Sequence, residues 1–289
     1  MSAWLMLALV LAGCSQAPTP TSVEVVTTIY PVHELARWVG GDRARLTLLV
    51  PPGVEAHSWE PSPQDLARLS RARLFVYNGA GLEPWVSRLV NTGSPTSFHR
   101  VEVTQGLDLI RRNGQPDPHV WLDPLLVAQE VETIRGALAQ ANPPDAATYE
   151  ANARAARARL ETLDRRFREG LASCQRRELV VSHEAFAYLA RRYNLTLIAL
   201  MGLSPEVEPS PTQLAKLVRT ARRVNARTVF VESLVSPRLA ETLARELGAE
   251  VRALNPVEGL TEAEARAGKN YWSLMEANLE ALRAGLGCT

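Results

Sequence analysis

Three histidines are spaced as a metal site assembled from separate loops would be. His57 follows Val50-Pro51-Pro52-Gly53, His119 lies within Asp117-Pro118-His119-Val120-Trp121, and His183 follows Leu179-Val180-Val181-Ser182. They are 62 and 64 residues apart, so no single helix or turn can bring them together. Neutral imidazole is the commonest protein ligand for a metal ion. In open α/β sheets, ligands bind beyond the carboxyl ends of the strands. Three imidazoles arriving there from three loops would hold a divalent ion. Three unrelated histidines would show the same spacing, so spacing alone leaves both readings open. His33, at a helix start after Tyr30-Pro31, and His99 read as solvent-facing.

The elements that must position these residues alternate. β-Branched runs at Val23–Ile29, Arg45–Val50, Leu74–Asn78, Leu179–Ser182, Leu195–Leu200, Thr228–Glu232 and Glu250–Leu254 are separated by amphipathic helical stretches. That alternation predicts an α/β fold with largely parallel sheets covered by helices. Between the two strand groups, Tyr149, Ala153, Ala156, Leu160, Leu163, Phe167 and Leu171 recur at intervals of three and four. This predicts one helix over Asp145–Ala172, opened by Pro143-Pro144. Its 28 residues would span about 42 Å, a strut joining two lobes rather than a hinge loop. The expected organisation is a lobe over residues 23–142, a linking helix over 143–174 and a second lobe over 175–289.

The halves echo each other. Glu60-Pro61-Ser62-Pro63-Gln64-Asp65-Leu66-Ala67-Arg68-Leu69 matches Glu208-Pro209-Ser210-Pro211-Thr212-Gln213-Leu214-Ala215-Lys216-Leu217 at seven of ten positions. Each reads as a helix start, with Ser62 or Ser210 as the N-cap, proline at the first helical position, and Asp65 or Gln213 placed to complete a capping box. An internal duplication and independent recurrence of good capping chemistry both account for the match. Ser236-Pro237 reads as a third such start.

Length and composition narrow the function classes. A chain of 289 residues, 46% hydrophobic and 22% charged, is a globular protein long enough for two domains. Lys plus Arg number 32 against 31 for Asp plus Glu, with no basic stripe, which argues against a nucleic-acid partner and for a small ligand. Trp4 to Ala12 is an apolar run too short to cross a bilayer, and it ends in Leu11-Ala12-Gly13-Cys14. Residues 1–13 resemble a bacterial lipoprotein signal, which makes Cys14 the expected lipidated residue and 14–22 a flexible tether. In an exported chain Cys174 and Cys288 are a candidate disulfide, with two unpaired thiols as the other reading.

Seven segments carry a resemblance to the zinc/manganese solute-binding lipoproteins of bacterial ABC metal importers, zinc branch. They are Thr27-Thr28-Ile29-Tyr30-Pro31, Leu49 through Pro63, Asp117 through Pro124, Ser182-His183-Glu184-Ala185-Phe186, Glu208 through Pro211, Asn255-Pro256-Val257-Glu258-Gly259-Leu260 and Asn270 through Leu279. They occur in the family's order from about Val23 to the C-terminus. The resemblance implies two α/β lobes joined by a long helix, with one divalent ion in the cleft. It implies a monomeric, lipid-anchored extracytoplasmic receptor, not an enzyme, that delivers the ion to a membrane permease.

By position in the family, His57 and His119 would come from the first lobe and His183 from the second. Many relatives have Asp where this chain has Asn255, and a neutral carboxamide is a weak ligand for zinc. Glu258 resembles the Glu of relatives with an Asn-Pro-x-Glu-Gly-Leu segment, and that resemblance makes it the expected fourth ligand, with water in that place as the alternative. Three imidazoles and a carboxylate favour Zn²⁺, while Mn²⁺ prefers more oxygen and remains possible. Relatives with a long His-rich loop between the first two ligands contrast with this chain, which has only His99 there. Glu232 reads either as support for the site or as a helix N-terminal charge, and Trp59 and Trp121 as cleft walls. Two rival functions stay open. One is a zinc hydrolase or hydratase with Glu184 as general base, because an open fourth position also describes a catalytic metal. The other is an adhesin-like lipoprotein with a structural metal.

Overall fold

The computed structural model describes residues 22–91, 98–206 and 210–289. The leader, Cys14, most of the tether, and Glu208 and Pro209 lie outside the described residues.

The first sheet contains β1 (Val23–Thr27), β2 (Ala44–Leu48), β3 (Leu74–Tyr77) and β4 (His99–Glu102), in the order β2-β1-β3-β4. A hairpin follows, β5 (Arg111–Arg112) and β6 (Gln115–Pro116). The second sheet contains β7 (Glu178–Val181), β8 (Thr196–Ala199), β9 (Thr228–Val231) and β10 (Glu250–Ala253), in the order β10-β9-β7-β8. Every pairing within the two four-stranded sheets is parallel. Counted within its own sheet, each has the strand order 2-1-3-4, so the echo seen in sequence extends to topology.

Helices α1 (Tyr30–Gly40), α2 (Pro63–Leu69), α3 (Pro84–Asn91) and α4 (Pro124–Ala141) belong to the first half, and α5 (Ala146–Gly170) is the long linking helix. Its 25 residues extend about 38 Å, and Tyr149, Ala153, Leu160 and Phe167 on its inner face are all completely buried. The second half adds α6 (Ala187–Arg192), α7 (Pro211–Arg223), α8 (Arg238–Leu247), α9 (Glu262–Arg266) and α10 (Tyr271–Leu286). All seven anticipated strands end one or two residues before the expected C-terminal limit, where the chain leaves the ladder for the loops that carry the site. The strand at His99–Glu102 and the 111–116 hairpin were not anticipated. The hairpin had a signal, Asn113-Gly114, whose φ values of 51° and 84° suit a two-residue turn.

The two Ser-Pro starts form as expected. Ser62 with Asp65 and Ser210 with Gln213 both make reciprocal capping boxes, each after the second strand of its sheet. Ser236 does not repeat the pattern: Pro237 itself is the N-cap of α8, and with no N–H or polar side chain it makes no side-chain cap. His33 is a second correction. It is half-buried, and its Nδ1 lies 2.9 Å from Thr27 Oγ1, because α1 folds directly back over β1.

Helix α10 returns to the first half. Trp272 stacks on Trp38 of α1 with ring centroids 4.4 Å apart, and Tyr271 packs edge-on to Trp38 at 5.3 Å. Tyr271 also donates its hydroxyl to the Trp121 carbonyl. At its far end, Cys288 is joined to Cys174 in a disulfide, flanked by Gln175 and Arg176 N–H groups bonded to the Gly287 and Leu286 carbonyls. The chain end is thereby pinned to the segment that leads from α5 into β7.

Within α4, Glu130 is 1% exposed and neither carboxylate oxygen has a hydrogen-bond partner. Burial pushes this carboxyl up to about 8. Since the unfolded chain ionises near 4.5, folding retains a proton that unfolding releases, and stability falls as pH rises from about 4.5 to 8. Glu130→Gln is expected to remove that part of the slope, read as unfolding free energy of the metal-free protein between pH 5 and 8. Equal slopes in the two proteins would contradict it.

Candidate metal centre

The four residues reach one point from the carboxyl-end loops of four strands. His57 lies after β2, His119 after β4 and the hairpin, His183 just after β7, and Glu258 after β10. Each loop is tied by its own sequence. The Glu55 carboxylate accepts from the His57 and Ser58 N–H groups at 3.0 and 3.1 Å, folding the His57 loop. Asp117 Oδ1 accepts from the His119 backbone N–H at 3.0 Å and from its ring Nδ1 at 2.7 Å. Glu232, at the end of β9, accepts from the His183 N–H at 3.1 Å, and its other oxygen lies 2.6 Å from His183 Nδ1. Glu232 thus supports the site and is not a free helix-end charge. Carboxylates behind two of the rings fix their orientation and turn Nε2 inward.

Asn255 is committed elsewhere. Its Oδ1 accepts from Val257 N–H at 2.7 Å, and its Nδ2 donates to Ser233 Oγ and Glu264 Oε1, both at 3.0 Å. The first of these bonds holds Val257 at φ 61°, a left-handed conformation that a β-branched residue rarely adopts. The turn presents Glu258 to the histidines. Two hydrogen bonds to carbonyls of this loop bring it against the first lobe: the Trp121 side-chain Nε1 donates to the Pro256 carbonyl at 2.7 Å, and Gly53 N–H to the Leu260 carbonyl at 2.7 Å. Trp121 is therefore a cleft wall, whereas half-buried Trp59 packs edge-on to Trp85 inside the first lobe.

Glu258 Oε1 lies 3.0 Å from His119 Nε2, 3.3 Å from His183 Nε2 and 3.7 Å from His57 Nε2, and of the histidine–histidine edges, His57 Nε2 to His119 Nε2 is 3.3 Å. All four ligand atoms fall within 4.8 Å of one another. A tetrahedron with zinc–ligand bonds of ~2.05 Å has edges of about 3.3 Å, so the spacing fits four ligands around one ion. His119 and His183 are fully buried, Glu258 is 5% exposed, and His57 is only half-buried. His183 Nε2 and Glu258 Oε1 are buried without any hydrogen bond, polar atoms that a cation would satisfy.

Electrostatics point the same way. Burial alone would push the Glu258 carboxyl up, but the three facing imidazoles outweigh it and hold it well below the usual carboxylate range. Burial pulls the His183 imidazole down, yet Glu232 and Glu258 prevail and push it up to about 10. His119 is raised in the same way by Asp117 and Glu258. Glu184, next to His183, is occupied by an ion pair with Arg112 at 2.8 Å. Sequence reading had singled out neither Asp117 nor Arg112; Asp117 had a signal, two residues before a candidate ligand.

Four convergent side chains from two parallel sheets define a cleft-type solute-binding protein built for one divalent cation. The chain belongs to the family described as zinc-uptake complex component A, periplasmic, whose model matches residues 25–285. It is 34% identical over 300 residues to the high-affinity zinc uptake system protein ZnuA of Bacillus subtilis, covering 96% of this chain and 94% of that one. It is 37% identical over 292 residues to the zinc-binding lipoprotein AdcA of Streptococcus pneumoniae, covering 96% of this chain but 58% of AdcA. The Zn(II)-bound ZnuA-like domain of that AdcA superimposes with a TM-score of 0.81 at 38% identity, over 92% of this chain and 99% of the domain.

Proposed function

We infer that the protein is a high-affinity extracytoplasmic receptor that captures one Zn²⁺ at His57, His119, His183 and Glu258 and delivers it to the permease of an ABC importer. The observation that carries this is the cluster of three histidines and one carboxylate whose ligand atoms lie within 4.8 Å of one another, with Asp117 and Glu232 behind two of the rings. It is a receptor and not an enzyme. Glu258 takes the place that a catalytic metal leaves to water, and Glu184 is engaged by Arg112. Nitrogen-rich coordination favours zinc over manganese. The name of the pneumococcal relative, a lipoprotein, supports Cys14 as a lipid anchor that keeps a monomer at the membrane surface. The lobes span 23–142 and 175–289, with 143–174 between them.

Metal exchange tests the reading. After chelator stripping, one Zn²⁺ per chain should bind tightly and reversibly, and excess Mn²⁺ should not displace it. Equal preference for the two ions, or substoichiometric zinc, would contradict it. Binding should also expel protons. The raised imidazoles of the metal-free site must deprotonate to coordinate, so affinity climbs with pH as long as the metal-free cluster still holds protons. Calorimetric titrations at neutral pH in buffers of different ionisation heat should give proton release, and buffer-independent heats would argue against it. In the metal-free protein the same shifts add stability below pH 6.5 that disappears as pH rises through about 10.

A further inference from the structure

A cavity of about 790 Å³ opens beside the metal centre, and His57 is the one of the four ligands that lines it. The other three are buried behind it. The first lobe contributes the β5–β6 hairpin to its wall, through Arg112, Gln115 and Pro116, and the second lobe contributes Glu184, Met201 and Lys216.

The hairpin reaches across the cleft and touches the second lobe at two places of different character. At its base, the Tyr188 hydroxyl accepts from the Ile110 N–H at 3.0 Å and donates to the Asp117 carbonyl at 2.8 Å. Tyr188 is completely buried on α6, and Asp117 is the residue that orients His119. Near its tip, Arg112 Nε lies 2.8 Å from Glu184 Oε1, with the two side chains 42% and 25% exposed. Glu184 directly follows His183, and its N–H is fixed to the Gly202 carbonyl at 3.0 Å. An isolated two-stranded hairpin is marginal in water, so what it rests on decides its posture. The base is held by two neutral hydrogen bonds to the buried Tyr188 hydroxyl, and the tip by a half-exposed, salt-screened ion pair.

We propose that the Arg111–Pro116 hairpin is a gate over the metal passage, anchored by Tyr188 and latched by the Arg112–Glu184 ion pair, and that the latch sets how fast Zn²⁺ passes His57. This rests on the reading that the cluster holds zinc. A latch that bars the passage in both directions changes rates and leaves affinity alone.

The test is stopped-flow transfer of Zn²⁺ from the full chain to a fast chelator, with an equilibrium titration of the same samples. At low salt, Arg112→Gln should release zinc about two- to fivefold faster. Its equilibrium affinity should stay within about twofold of the native protein, the fold-range being that of a half-exposed pair. Raising the salt to about 1 M, where the screening length is ~3 Å, should speed native release toward the variant and leave the variant unchanged. The reversed pair, Arg112→Glu with Glu184→Arg, should restore slow release relative to Arg112→Glu alone. Identical release rates at low salt would overturn the gate, as would faster release matched by an equal loss of affinity, which marks a residue that only supports the site. The native protein's own salt dependence reads the latch even where a variant folds poorly. Absence of zinc binding in the native chain would instead refute the receptor reading.

Discussion

Replacing His119 or His183 by alanine is expected to lower zinc affinity by a hundredfold or more. Losing an outer partner of a ligand typically costs 10–100-fold, and these substitutions remove the ligand and strand its partner as well. Asp117 or Glu232 would be left as a buried carboxylate facing an empty space, and Glu258 would lose one of the imidazoles that hold it ionised. His57→Ala should cost less than either, though still about tenfold or more, because the His57 side chain is 10% exposed where it borders the cavity, no carboxylate is stranded behind it, and water can enter its coordination position. Competitive titration against a chelator of known affinity ranks the three. Equal losses in all three, or none, would contradict the asymmetry that burial imposes.

Breaking the disulfide has the second large expected effect, this time on stability. Cys174 and Cys288 are 114 residues apart and close nearly the whole second lobe into a loop. On the chain-entropy account, a loop of that length constrains the unfolded chain by about 5 kcal/mol. The Cys174→Ser/Cys288→Ser protein, metal-free, should therefore unfold at markedly lower denaturant, with α10 and the 174–178 segment exchanging amide hydrogens first. A loss below about 1 kcal/mol would mean that the aromatic packing of Tyr271 and Trp272 on Trp38 holds the C-terminal helix without the staple.

How much of this was legible in the sequence differs by element. The seven anticipated strands and the long helix were visible because β-branched runs and a three-to-four repeat of apolar residues report burial directly. The β4 strand was not, since His99 and Arg100 are exposed at a sheet edge and only Val101 faces the core. His183 and His119 stood out as loop residues, but their convergence is a long-range fact that spacing does not encode; the resemblance supplied it. Glu258 rather than Asn255 was expected from the resemblance alone, and the geometry supplies the physical reason. The Asn255 carboxamide is consumed in holding the Val257 turn, and the sequence does not reveal which of two nearby polar residues a turn will face inward. The same limit hid the role of His33, whose bond to Thr27 depends on how α1 folds over β1.

The central claim is that one Zn²⁺ sits among His57, His119, His183 and Glu258. Diffraction from zinc-loaded crystals, with anomalous data collected on both sides of the zinc absorption edge, tests it most directly. One anomalous peak should lie at ~2.0–2.2 Å from the three Nε2 atoms and a Glu258 oxygen. A peak elsewhere, or a water in place of the Glu258 carboxylate, would contradict it.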